Sequence, residues 1–165
     1  MIYVPAIMNG IMSVHPQVEK ATELLRAGEV VILPTETVYG IAADSNNDAA
    51  VAKIYALKDR PKFNPLIVHI YSIEQALEIA QLSPAARMLA EKHWPGPLTI
   101  VAKKRDKNFA ALASAGLDTI ALRVPAHPVA REVLALPAAV SQRGLPNANA
   151  RDDEQKRGER GQGLR

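Results

Sequence analysis

The side chains best suited to chemistry in this sequence are hydroxyls and cations spaced to hold an anion. Thr35 and Thr37 follow the apolar run Val30-Val31-Ile32-Leu33 and Pro34. Their hydroxyls can bond a carboxylate or phosphate oxygen, or equally the local backbone of a polar turn. Glu36 between them reads as a solvated turn carboxylate, with a general base as its other role. Lys58, Arg60 and Lys62 put three cations within one helix end and loop. Arg offers a fixed fork to phosphate or carboxylate and Lys a mobile point charge, but cations at a helix C-terminus also complement the macrodipole. Asn64 before Pro65 is a turn residue or an amide for a base or ribose. His69, inside the apolar run Leu66-Ile67-Val68-His69-Ile70, is a satisfied structural histidine or a ligand contact. Arg123 follows Ile120-Ala121-Leu122, and an arginine inside a buried strand requires an anionic partner. His15, His93 and His127 have no metal-ligand spacing, so no metal site is expected. Neither G-x-x-x-x-G-K nor G-x-G-x-x-G occurs, so any ATP has to be held by side chains.

These residues need elements to carry them. Pro16 to Ala27 predicts a helix with Val18, Ala21, Leu24 and Leu25 on one face, and Gly28 ends it. Val30 to Leu33 reads as a strand buried on both faces of a parallel or mixed central sheet. Asp48 is the expected N-cap of a helix to Leu57. Leu66 to Ile70 is a second continuous apolar strand. Ser72 caps a helix through Gln81, and Ser83-Pro84 opens another to His93. Leu98 to Ala102 and Thr119 to Val124 give two more strands, joined by a solvated charged connection from Lys103 to Asn108. His127-Pro128 begins a last helix to about Leu136. Alternating helices and strands argue α/β with a partly parallel sheet, and ligands of such sheets bind beyond the carboxyl ends of strands.

The bulk composition agrees. A chain of 165 residues with 48% hydrophobic and 22% charged residues is one ordinary globular domain. Aromatics at 4% leave the core to aliphatic side chains. The absence of cysteine excludes disulfides, thiolate metal sites and a Cys nucleophile. A net charge of +3 is compatible with a phosphate-bearing ligand or RNA and equally common in proteins that bind neither. The N-terminus is no signal peptide and no run approaches the ~18 apolar residues of a membrane span. A cytoplasmic protein with no membrane partner is expected.

Four motifs in order are familiar: LPTETVYGIAAD, YALKDRPKFNPLIVHI, HWPGPLTIVAKK and AGLDTIALRVPAHPVA. Together they resemble the YrdC-like threonylcarbamoyl-AMP synthase family. The resemblance implies an α/β fold, a twisted open mixed sheet with helices packed around it and a large concave basic cavity. It also implies that L-threonine, bicarbonate and ATP give threonylcarbamoyl-AMP and pyrophosphate, the first step towards threonylcarbamoyladenosine in tRNA. By the same resemblance Thr35 and His69 are threonine-site positions, with Arg123 pairing the carboxylate. Lys58, Arg60, Asn64 and Thr119 fall on the ATP side, and Lys58 and Arg60 are the catalytic cations. ATP enters as substrate with Mg²⁺. The implied partners are the proteins of later tRNA-modification steps, and tRNA or double-stranded RNA. An RNA-binding module of the same fold without synthase activity is the alternative.

The chain departs from the family after the last helix. The family continues with P-S-A-N and then S-P-T, where this chain reads LPAAVSQRGLPNANA. Permissible codons for Ala139 to Ala148, read one base along, give P-S-A-N-A-A-S-P-T. A frameshift near Pro137 to Ala139 is therefore expected. It leaves residues 1–140 as a partial domain and 141–165 as a disordered, out-of-frame tail, with impaired activity.

Overall fold

The computed structural model describes residues 16–57 and 64–136. Helix α1 (Pro16–Arg26) starts at a proline, which lacks only a donor that the first turn leaves unused, and buries Val18, Ala21, Thr22 and Leu25. Gly28, at φ +78°, ends it. The N–H groups of Gly28 and Glu29 return to the carbonyls of Leu25 (3.0 Å) and Leu24 (2.9 Å), which satisfies the helix end.

Strand β1 (Val31–Pro34) does not enter the central sheet. It turns back at once into β2 (Tyr39–Ala42), and the two form a separate antiparallel pair with Val31 opposite Ala42 and Pro34 opposite Tyr39. The expected central strand is corrected to a hairpin. Its apolar side chains are buried by helices rather than by neighbouring strands. Val31 and Leu33 pack with Val18, Ala21 and Leu25 of α1 and with Val129, Val133 and Leu134 of the last helix, α5 (Pro128–Ala135).

Helix α2 (Asp48–Leu57) is capped one residue before the expected position, by Asn47, whose Oδ1 accepts from Ala50 N at 3.1 Å. Strand β3 (Ile67–His69) follows, then α3 (Ile73–Ile79), the two-residue strand β4 (Ala80–Gln81) and α4 (Pro84–His93). Ser72 and Ser83 cap α3 and α4 as the sequence predicts. Strand β5 (Ile100–Lys104) and strand β6 (Thr119–Arg123) complete a four-stranded sheet in the order β3-β6-β5-β4. β3 and β6 are parallel and the other pairs antiparallel, so the sheet is mixed as expected.

The sheet has one covered face. Val68, Ile100, Ala102, Ile120 and Leu122 are buried against Val51 and Tyr55 of α2, Ala76 and Ile79 of α3, and Ala90 of α4. Alternation along each strand sends the neighbours to the other side. There Ile67 is 45% and Val101 66% exposed. The apolar runs are therefore covered on one side only. The connection expected to be solvated also differs: Lys104 still belongs to β5 and is buried. Its ammonium donates to the carbonyls of Lys107 (2.8 Å) and Phe109 (3.4 Å) and to Ser114 Oγ (2.9 Å).

This asymmetry is testable. Leu122→Ala should cost about 2–5 kcal/mol in chemical denaturation, because it leaves a cavity between the sheet and its helices. Val101→Ser on the bare face should change stability by less than about 0.5 kcal/mol.

Candidate active site

Three rows of side chains cross the open face. Because β3, β6 and β5 are in register, His69 lies beside Arg123, Ile67 beside Ala121 and Val101, and Thr119 beside Lys103. Successive rows are two residues, about 6.6 Å, apart. The first and third rows are polar, and the middle one is apolar.

The first row is where the hairpin reaches the sheet. Arg123 Nη2 donates to Glu36 Oε1 at 2.6 Å and to Thr37 Oγ1 at 3.2 Å. Ala126 N, between β6 and α5, donates to Glu36 Oε2 at 3.0 Å. Glu36 is thus not the solvated turn carboxylate of the sequence reading. Its contacts with Arg123 and with Ala126 N make it the anion that a buried strand-end arginine needs. Its motif and that of Arg123 are separate in the sequence, where the demand of an internal Arg for an acid is legible but names no partner.

Thr35 orders the turn itself. Its hydroxyl donates to the Val38 carbonyl at 2.7 Å, accepts from Val38 N at 3.1 Å and lies 3.0 Å from Thr37 Oγ1. The local-backbone alternative for Thr35 therefore describes its present bonds. Thr35 and Thr37 stay at the rim of the cluster that joins Glu36, His69 and Arg123.

Two buried atoms in this row have no hydrogen-bond partner: Arg123 Nε and His69 Nε2. They stand on adjacent parallel strands, at paired positions. Burial, and then the Arg123 charge, lower the His69 pKa below its ordinary 6.5, so the ring is largely neutral at pH 7. Burial would raise the Glu36 carboxyl. The Arg123 hydrogen bond, backbone N–H groups and the guanidinium charge outweigh it and hold the group below its ordinary 4.5.

The other candidates lie elsewhere. Thr119 is exposed at the start of β6, four residues or about 13 Å from Arg123 on the same face. Lys103, which the sequence reading put in a loop, is exposed beside it. Asn64 precedes β3, and its carbonyl accepts from the Tyr55 hydroxyl at 2.9 Å. Lys58, Arg60 and Lys62 lie outside the described residues, and so does any basic cavity they would complete. An apolar hollow on α4, lined by Leu89, His93, Pro97 and Leu98, holds none of the candidates. No group of three or more His, Cys, Asp or Glu suited to a metal occurs among the described residues.

Paired polar side chains at the carboxyl ends of parallel strands stand where ligands of open α/β sheets bind. Comparison with known proteins narrows this. The Sua5/YciO/YrdC family model, described as telomere recombination, matches residues 23–151, and the chain belongs to that family. Among its relatives, threonylcarbamoyl-AMP synthase of Bacillus subtilis is 45% identical over 134 residues, 81% of this chain and 37% of that protein. The synthase of Pyrococcus abyssi is 41% identical over 150 residues, 86% of this chain and 43% of its own. The chain thus spans about two fifths of these relatives. The structure of P. abyssi Sua5 complexed with L-threonine superposes with a TM-score of 0.68 at 43% identity, over 72% of this chain and 35% of that one. Escherichia coli YciO, at 21% identity and a TM-score of 0.61, shares the fold.

The two lowered pKa values predict an acid limb in two stages. Glu36 stabilises the fold fully above its unfolded value near 4.5, and this is lost as pH falls through the lower folded value. His69 resists protonation in the fold, so stability is full above 6.5 and falls as pH drops from there towards the folded value. Urea midpoints across pH should show both stages. His69→Gln should remove the upper one and Glu36→Gln the lower.

Proposed function

We propose that the chain carries the substrate-binding sheet of a threonylcarbamoyl-AMP synthase, which forms threonylcarbamoyl-AMP and pyrophosphate from L-threonine, bicarbonate and ATP. The observation that carries this reading is the buried Arg123 at a strand end, its Nε and the neighbouring His69 Nε2 both without partners. A carboxylate supplies the acceptor that a buried guanidinium N–H lacks. The relative solved with L-threonine supports an amino acid as its source.

On this reading threonine sits at the first row, against Thr35, His69 and Arg123. ATP lies towards Asn64 and Thr119, with Lys103 as an added cation and Lys58 and Arg60 as the catalytic cations of the loop between α2 and β3. Bicarbonate takes up a proton and loses water to give carbon dioxide, and the threonine amine bonds to its carbon and loses a proton. A carbamate oxygen then attacks the α-phosphorus, the bond to the β-phosphate oxygen breaks, and pyrophosphate leaves. The chain supplies position and positive charge. Mg²⁺ would enter with the triphosphate of ATP. No described helix is long and apolar enough to cross a membrane, and we place the reaction in the cytoplasm, where its product passes to the tRNA-modification proteins.

We further propose that the reading frame shifts near residues 137–139, so that the chain as it stands turns over slowly. The family match continues to residue 151, across the in-frame Pro146-Asn147-Ala148-Asn149, and sequencing the gene decides between the two alignments.

Pyrophosphate release should require L-threonine and bicarbonate together, and should rise when P-S-A-N-A-A-S-P-T is restored. Arg123→Ala should raise the KM for threonine about 10–100-fold, the worth of a charged hydrogen bond, and leave that for ATP nearly unchanged. Steeply salt-dependent RNA binding without any threonine-dependent turnover in the restored chain would overturn the synthase reading in favour of an RNA-binding module.

A further inference from the structure

The synthase reading gives Arg123 the amino acid's carboxylate and leaves Glu36 without a role. Yet Glu36 decides the charge of this strand end. Its carboxylate accepts from Arg123 Nη2 at 2.6 Å, from Ala126 N at 3.0 Å and from its own backbone N–H, three donors for about four lone-pair sites, so one is left for another donor. Its side chain is 21% exposed against 9% for Arg123. Of the two, Glu36 is the one that reaches open space.

Among the described residues, the other groups facing the pair do not alter the balance. Thr35 and Thr37 are neutral, and Thr37 Oγ1 accepts from the same Arg123 nitrogen at 3.2 Å. His69 is held largely neutral by burial and by Arg123. One cation and one anion therefore lie side by side. A ligand with only a carboxylate meets an arginine already neutralised. A zwitterion, whose own charges sit on one carbon, meets both partners.

We propose that Glu36 is a specificity-determining residue that receives the ammonium group of the amino acid whose carboxylate Arg123 takes. The site thereby selects zwitterionic α-amino acids over acids of the same shape without the amine. This rests on the synthase reading and extends it to a residue that reading does not use. Selectivity of this kind is a difference of two affinities, and Glu36 sets it by favouring one ligand and weakening the other.

Calorimetry on the full chain with L-threonine and with 3-hydroxybutanoate, the same skeleton lacking the amine, tests it. The wild type should bind L-threonine at least about tenfold more tightly, the worth of a charged hydrogen bond. Glu36→Gln should collapse that ratio, with threonine weaker and 3-hydroxybutanoate tighter because Arg123 is freed. A mere tether between hairpin and sheet would weaken both ligands together. That result, or a wild-type ratio near one, overturns the proposal. Threonine-dependent pyrophosphate release beside an unchanged ratio sinks this inference alone, whereas no threonine binding and no turnover, in this chain and with P-S-A-N-A-A-S-P-T restored, sinks the synthase reading too. A variant-free check is the carboxyl ¹³C resonance of Glu36 in the wild type. It should move with L-threonine and not with 3-hydroxybutanoate, and equal movement or none overturns the proposal.

Discussion

A guanidinium buried at the end of a strand has to be neutralised, and the fold is arranged around that requirement. Removing one partner of a buried pair costs about 3–5 kcal/mol, because the charge left behind has lost its water. Arg123 and Glu36 are 87 residues apart, so the contact ties the first hairpin to the last strand. The second oxygen of Glu36 takes the Ala126 N–H, which fixes the path from β6 into α5. Helix α5 in turn buries the apolar side of β1 together with α1. One carboxylate thus sets how the hairpin, the sheet and the helical layer meet.

The same contact explains why Arg123 is buried on a face that is otherwise open. Thr119, Ala121 and Arg123 share one side of β6, and exposure falls along the strand as the hairpin turn closes over its end. The opposite side carries Ile120 and Leu122 into the core. Stability and binding therefore sit on different faces of the same five residues.

Much of this was legible in the sequence, and the misses share a cause. Helix starts were readable because Pro16, Ser72 and Ser83 act within one turn of chain. The run from Val31 to Leu33 looked like a central strand because burial by helices and burial by strands leave the same apolar residues. Nothing local distinguishes them. Lys104 reads as solvated in a charged stretch, and only the fold supplies the carbonyls and the Ser114 hydroxyl that satisfy it. Arg123 was readable as needing an anion, but its partner was not, since pairing across 87 residues is a property of topology. Lys58 and Arg60 lie outside the described residues.

The order of the rows bears on how a ligand would lie. Polar residues at both ends of the face, His69 with Arg123 and Thr119 with Lys103, are separated by the apolar row Ile67, Ala121 and Val101. An apolar floor offers no competing hydrogen bonds, so the two ends alone fix direction and register. The two ends lie about 13 Å apart along β6. Ala121 is the smallest side chain of the middle row, so the face is lowest between its two polar ends. The spacing of polar and apolar rows, more than any single residue, gives this face its character.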